Sequence, residues 1–149
     1  MLKELMGSAY RPAPLVVVAF ALVSCGGEAS NANVGGTLPG CAQAGAKVDL
    51  PAGLASVPLP EGSVIDSTRK DAAGNTIYQG YIPGDVTGAK DYFEAELPKA
   101  GYDLGEGDSE DHEAEMEFDG HDVEARLKVH DITGCDGALT LAIAKKGNQ

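Results

Sequence analysis

The sequence predicts an α+β fold in which one main helix packs on one face of an antiparallel sheet. Two strand-like runs flank a short polar loop, one helical segment follows, and the last third of the chain alternates apolar and polar residues. This order of elements predicts a hairpin, then the helix, then a three-stranded meander.

The first hairpin is predicted from the runs Ser63 to Lys70 and Thr76 to Ile82. Between them, residues 71–75 (Asp-Ala-Ala-Gly-Asn) have the composition of a hairpin loop. Upstream, residues 42–62 hold several prolines among scattered apolar residues, so we expect extended or irregular chain packed along the surface.

The helix is predicted to begin after Pro83-Gly84, with Asp85 or Thr87 as its cap, and to run to about Lys99. Pro98 should bend or end its last turn, and Gly101 suits the C-terminal cap. Apolar residues recur along it at steps of three and four, which places them on one face: Val86, Ala89, Phe93, Leu97 and Ala100.

The second hairpin is predicted from Asp119-Gly120, a pair that favours a two-residue type I′ turn. The hairpin strands are predicted as Glu113 to Phe118 and His121 to Val129, and the residues between Leu104 and Glu113 are expected to form an acidic loop. This turn would place Met116 opposite Val123 on the inner face, and would set two acidic pairs opposite each other outside, Glu115 with Glu124 and Glu117 with Asp122. Residues 138–144 form the last predicted strand.

The length of 149 residues fits one domain and a tether. We expect residues 1–24 to be a signal peptide, residues 25–40 to be an anchored, Gly-rich tether, and residues 41–149 to be the domain. The chain holds 23 acidic against 11 basic residues, a formal net charge of −12. That charge repels phosphates and argues against nucleic-acid binding.

The N-terminus has the parts of an export signal. Lys3 and Arg11 precede an apolar run, residues 15–23, that is too short to span a bilayer as a stable helix. The run ends in Leu22-Val23-Ser24-Cys25, which resembles the lipobox of bacterial lipoproteins. The alternatives are a plain secretory signal with a chance cysteine, or a buried apolar strand.

The lipobox resemblance implies cleavage before Cys25 and several acyl chains on that cysteine, palmitate among them, which together give stable membrane residence. Because Gly26 follows, it implies the outer membrane in a Gram-negative cell, or the outer face of the cell membrane in a Gram-positive one. Two further stretches, residues 59–62 and 91–102, are similar to small bacterial lipoproteins of unknown function and imply no chemistry.

Cys41 and Cys135 are the cysteines that remain once Cys25 is acylated. In an oxidising compartment we expect a disulfide between them, which would close most of the domain into one loop. Two free thiols or a redox pair are the alternatives, but neither cysteine has a Cys-x-x-Cys neighbour.

Metal binding is the other chemistry that the composition suggests. His112, His121 and His130 are nine residues apart, but the predicted register keeps them from converging on one ion, so we expect no metal and no cofactor. The like-charged outer face is unfavourable for the hairpin unless cations screen it, which leaves weak calcium binding as an alternative. The carboxylates concerned are Glu115, Glu117, Asp122 and Glu124.

No nucleophile motif, His-Glu-x-x-His or phosphate-binding loop occurs in the sequence. We therefore expect a noncatalytic lipoprotein of the cell envelope that binds a protein or polymer partner through its sheet or its acidic hairpin. An unrecognised hydrolase remains a third possibility.

Overall fold

A computed structural model of the chain describes residues 33–146. The predicted signal peptide and Cys25 lie outside this range. Within it the chain forms one helix and six strands: β1 (Val64–Lys70), β2 (Thr76–Pro83), α1 (Val86–Lys99), β3 (Asp103–Ser109), β4 (Glu113–Gly120), β5 (Val123–Asp131) and β6 (Ala138–Lys145).

All six strands belong to one antiparallel sheet with the order β1-β2-β6-β5-β4-β3. The last strand, β6, lies between β2 and β5, so it joins the first hairpin to the meander. The helix packs against β3, β4 and β5. The predicted α+β class, with one helix on an antiparallel sheet, is confirmed.

The core lies between the inner face of the sheet and the elements that cover it. Alternate residues of β4, β5 and β6 point inward, as the period of two requires. Phe93 and Leu97 of the helix and Leu54 of the preceding irregular segment are fully buried against them. The sheet contributes most of the core: Ile65, Ile82, Ala114, Met116, Phe118, Val123, Ala125, Leu127, Val129, Leu139, Leu141 and Ile143.

The helix begins and ends where the sequence predicts. Asp85 is the N-cap, and its carboxylate accepts the Gly88 N–H at 2.7 Å. At the other end Gly101 has a φ of 88°, and the Tyr102 N–H donates to the Leu97 carbonyl at 3.1 Å. This left-handed glycine and its bond satisfy carbonyls of the last turn.

The acidic loop predicted after the helix is wrong, because residues 103–109 form strand β3. Every residue of this strand is exposed, and it pairs with β4. Its sequence, Asp-Leu-Gly-Glu-Gly-Asp-Ser, lacks the apolar alternation by which strands are recognised. The backbone pairing to β4 holds the strand in place without burial of its side chains, so the meander has four strands instead of three.

The predicted register of the β4–β5 hairpin is also wrong. The turn residues are His121 and Asp122, with φ angles of 51° and 61°, and Gly120 pairs with Val123. Met116 therefore faces Leu127 instead of Val123. The partner of each β4 residue moves by an even number of positions, so every side chain keeps its predicted face although every pair changes.

The predicted tether is too long at its C-terminal end, because residues from 33 onward already contact the domain. The Asn33 amide donates to the Asp85 carboxylate at 2.7 Å, and Val34 forms a β-bridge with Gly84. The Gly36 N–H donates to the Glu61 carbonyl at 3.0 Å. Glycines of the domain permit this close approach, since a Cβ at Gly84 would lie 2.5 Å from the Asn33 carbonyl oxygen and one at Gly88 2.8 Å from the Asn33 nitrogen.

The backbone of β1 lies unusually close to that of its partner strand β2 at Gly80. A Cβ at this position would lie 2.0 Å from the Val64 carbonyl oxygen, which is too short for any contact. The register of β1 shifts between Ile65 and Ser67, opposite this glycine. Gly80 therefore permits the irregular pairing of the first hairpin.

We predict that Gly80→Ala lowers the free energy of unfolding by about 1–3 kcal/mol, because the backbone of β1 would have to move. Urea denaturation followed by circular dichroism measures it. Gly40→Ala is the matched control, since a Cβ there meets nothing within 4 Å. Equal stability of the two variants would contradict the close approach.

Candidate functional site

A disulfide joins Cys41 to Cys135, with a sulfur–sulfur distance of 2.10 Å and a Cα–Cα distance of 5.6 Å. It links the start of the domain to the loop between β5 and β6. Cys135 is buried in a small apolar cluster with Ala42 and Ala138, whereas Cys41 is exposed. This is the pairing that the sequence led us to expect, and it covalently closes the domain near its N-terminus.

The outward side chains of β4 and β5 form rows of opposite charge, which we call the outer charged face: Glu113, Glu115 and Glu117 on β4, and Arg126 and Lys128 on β5. Lys128 contacts the Glu113 carboxylate at 2.8 Å. Arg126 contacts Glu117 at 2.7 Å and Glu115 at 3.4 Å. Each acidic residue of this face therefore has a basic neighbour.

The predicted acidic patch is therefore corrected. Glu115 faces Lys128 and Glu117 faces Arg126, instead of facing Glu124 and Asp122. The like-charge repulsion that motivated calcium binding is absent from these pairs. Among residues 33–146, no group of three or more His, Cys, Asp or Glu side chains has a geometry that could hold a metal ion.

Lys146 extends the charged network beyond the hairpin. Its ammonium group contacts the Glu124 carboxylate and lies 3.8 Å from that of Glu117. Of the four carboxylates in the calcium hypothesis, Asp122 makes no ion pair within the described part of the chain and lies in the turn. The other three are neutralised by cations from β5 and the end of β6.

The ionic contacts shift the proton affinities of the face. The hydrogen bond from Arg126, helped by the charge of Lys146, lowers the pKa of Glu117 below its ordinary value. The hydrogen bond to Glu113 raises the pKa of Lys128. Both shifts favour the charged forms and keep the network ionised at neutral pH.

The three histidines are distributed over the two ends of the sheet. His112 Nδ1 lies 2.8 Å from one Asp131 oxygen, and His130 Nδ1 lies 3.3 Å from the other. At the opposite end, His121 Nε2 is 2.8 Å from the Ala100 carbonyl, and its ring stacks edge-on against Tyr102. The sequence did not predict that Asp131 joins His112 and His130, because the pair depends on the β4–β5 register.

Several concavities lie on the described surface, and three of them are described by their lining residues. A pocket of about 80 Å³ at the β3–β4 connection is lined by Asp108, Ser109, Glu110, Glu113 and Glu115. A groove of about 350 Å³ beside the disulfide includes the start of the helix together with Asp111 and Asp131. A third groove, of about 470 Å³, runs between β1 and the irregular segment 47–60 and is lined by apolar residues together with Lys47, Asp49 and Ser63.

Within residues 33–146, no helix is long and apolar enough to cross a membrane. Comparison of the chain with protein-family models, with curated proteins and with solved structures found no match.

We predict that removing the disulfide with Cys41→Ala and Cys135→Ala lowers the free energy of unfolding by about 2–5 kcal/mol, because the bond closes a long loop. Urea denaturation measures the loss. The reduced wild-type protein should match the double variant. Non-reducing peptide mapping that finds both cysteines free would refute the bond.

A second prediction concerns Glu117, whose pKa is lower in the folded protein than in the unfolded chain. Its ionised form therefore stabilises the fold at neutral pH, and this contribution is lost as the pH falls through the lowered pKa. Glu117→Gln should lower the free energy of unfolding at neutral pH. This difference from the wild type should shrink as the pH falls into the acid range. Urea denaturation across the acid range tests this.

The control is Glu61→Gln, an exposed carboxylate on an irregular segment. It should change stability little at any pH. If the loss of unfolding free energy in Glu117→Gln stays constant from neutral to strongly acidic pH, lost packing and not lost charge explains it.

Proposed function

We propose that the chain is an exported bacterial lipoprotein whose domain is a noncatalytic binding module of the cell envelope. The observation that carries the proposal is the Cys41–Cys135 disulfide, since such bonds persist in oxidising compartments and are rare in the cytosol of most bacteria. It supports the export that the N-terminal residues 1–24 predict. The anchor would be lipid on Cys25.

The structure adds a geometric expectation to this proposal. Because Asn33 is already bonded to Asp85, only the residues between Cys25 and Asn33 connect the anchor to the domain. The eight Cα–Cα steps from Cys25 to Asn33 span at most about 28 Å. The end of the domain that carries Asn33, Asp85 and the groove beside the disulfide would therefore be held close to the membrane.

The exposed surfaces favour a binding role. The outer charged face and strand β3 are open to solvent, whereas the inner face of the sheet is covered by the helix and the irregular segment. The net charge of −12 favours a protein or a polymer that is not itself strongly anionic. Depending on the envelope of the source cell, that partner would be met at the outer membrane or at the outer face of the cell membrane.

The experiment compares wild-type protein with Cys25→Ser in intact cells. Reversible crosslinking and quantitative mass spectrometry identify the neighbours, and intact mass measurement reports acylation. The wild type should be cleaved and acylated and should enrich a dominant envelope neighbour. Cys25→Ser should accumulate as an unacylated precursor.

Normal acylation and maturation of Cys25→Ser would overturn the lipoprotein proposal. A wild-type protein that is correctly anchored but enriches no neighbour would overturn the binding role alone. Gly40→Ala is the control for expression and export, because that position has open space around it.

A further inference from the structure

Strand β3 is a free edge of the sheet. Within the described residues it pairs with β4 on one side only, and all seven of its residues are exposed. The opposite edge, β1, is partly covered, since the Val48 N–H donates to the Ile65 carbonyl at 2.7 Å and the Gly45 N–H to the Asp66 carboxylate at 2.8 Å. The longer open backbone edge is therefore that of β3.

An apolar side chain is exposed on this edge. Leu104 is 39% exposed, and no other large hydrophobic side chain is exposed between residues 33 and 146. It is followed by Gly105 and Gly107, which leave the neighbouring backbone unshielded. The surface therefore combines free backbone groups with one apolar contact point.

The edge is also acidic and, unlike the outer charged face, lacks basic neighbours. Asp103, Glu106 and Asp108 form no ion pair with any side chain of the described part, whereas Glu113 and Glu117 are paired with Lys128 and Arg126. At its end lies the pocket of about 80 Å³, which exceeds the volume of one water and can hold an ammonium group. Of the carboxylates that line it, Glu113 and Glu115 are already paired with Lys128 and Arg126, whereas Asp108 and Glu110 form no ion pair in the described part of the chain.

We propose that β3 binds an extended, basic polypeptide segment as an added strand. Free backbone donors and acceptors would pair with the segment, Leu104 would contact an apolar side chain, and a lysine or arginine would enter the acidic pocket. The inference rests on the proposed binding function and deepens it by naming the partner's chemistry. A second copy joined through its own β3 is disfavoured, because like charges would face each other.

Acidic residues on an edge strand can also serve only to prevent pairing between sheets. Protection against pairing requires only the charges, whereas a docked strand would also cover Leu104. The protective role and the docking role of the edge differ in what binds to it. A protective edge binds no peptide strand, whereas a docking edge binds basic strands and discriminates against acidic ones.

The test uses the full-length protein in detergent micelles and a ten-residue peptide of alternating lysine and valine. Chemical shifts and hydrogen exchange of the β3 amides are followed by NMR during titration. The basic peptide should shift residues 103–109 and slow the exchange of alternate β3 amides. Peptides with alternate N-methylation, or with glutamate in place of lysine, should bind at least tenfold more weakly.

A double variant isolates the charge. Glu106→Gln with Asp108→Asn should weaken binding about five- to tenfold and reduce its salt dependence, since each exposed ion pair contributes up to about 1 kcal/mol. The matched control is Glu61→Gln with Asp91→Asn, which removes two exposed carboxylates elsewhere. Leu104→Thr keeps strand propensity and should also weaken binding.

Several results would overturn the inference. The acidic or N-methylated peptides could bind as tightly as the basic peptide, or the control variant could lose as much affinity as the double variant. The chemical-shift changes could also fall outside residues 103–109. If calcium alone produces the same chemical-shift changes, the edge is a cation site. If the protein self-associates by pairing β3 with the basic end of β1, at Arg69 and Lys70, the edge is a contact between copies. None of these outcomes depends on Cys25, so they leave the anchoring proposal unaffected.

Discussion

The register of the β4–β5 hairpin is the constraint on which the rest of the sheet depends. It is set by a turn at His121 and Asp122, both in the left-handed region, where histidine and aspartate are tolerated better than most residues. The turn is fixed from outside the hairpin, because His121 contacts the Ala100 carbonyl and the ring of Tyr102. The end of the helix therefore decides which residues of β4 and β5 face each other.

In this register Glu115 and Glu117 of β4 lie opposite basic residues, whereas the predicted register placed them opposite acidic ones. Lys128 and Arg126 of β5 lie opposite Glu115 and Glu117 of β4. On the other side of β5, strand β6 places Ala142 and Ala144 beside the same two basic residues. Small side chains on β6 leave room for the long basic ones to reach across to β4. Exposed ion pairs are individually weak, so the network specifies the pairing more than it stabilises it.

The functional proposals rest on two regions of the domain. The disulfide and the bonded residues from Asn33 onward fix where the chain leaves the domain, and hence how the domain would be presented at a membrane. Strand β3 fixes what a partner would meet, since Asp103, Glu106 and Asp108 form no ion pair in the described part of the chain, whereas Glu113, Glu115 and Glu117 of β4 are paired. The proposed accessory module would need both an attachment and an accessible surface, and these two regions lie on separate elements of the fold.

The sequence by itself determined the α+β class, the helix with its N-cap at Asp85 or Thr87 and Gly101 after its end, and the inner face of every later strand from 113 onward, because these follow from local periodicity and local hydrogen bonding. Only the tertiary structure decided the hairpin register, strand β3 and the attachment of residues 33–40. Each of these depends on a contact between distant parts of the chain: His121 with Ala100, β3 with β4, and Asn33 with Asp85. Local pattern predicts which face a residue takes, whereas long-range pairing chooses its partner.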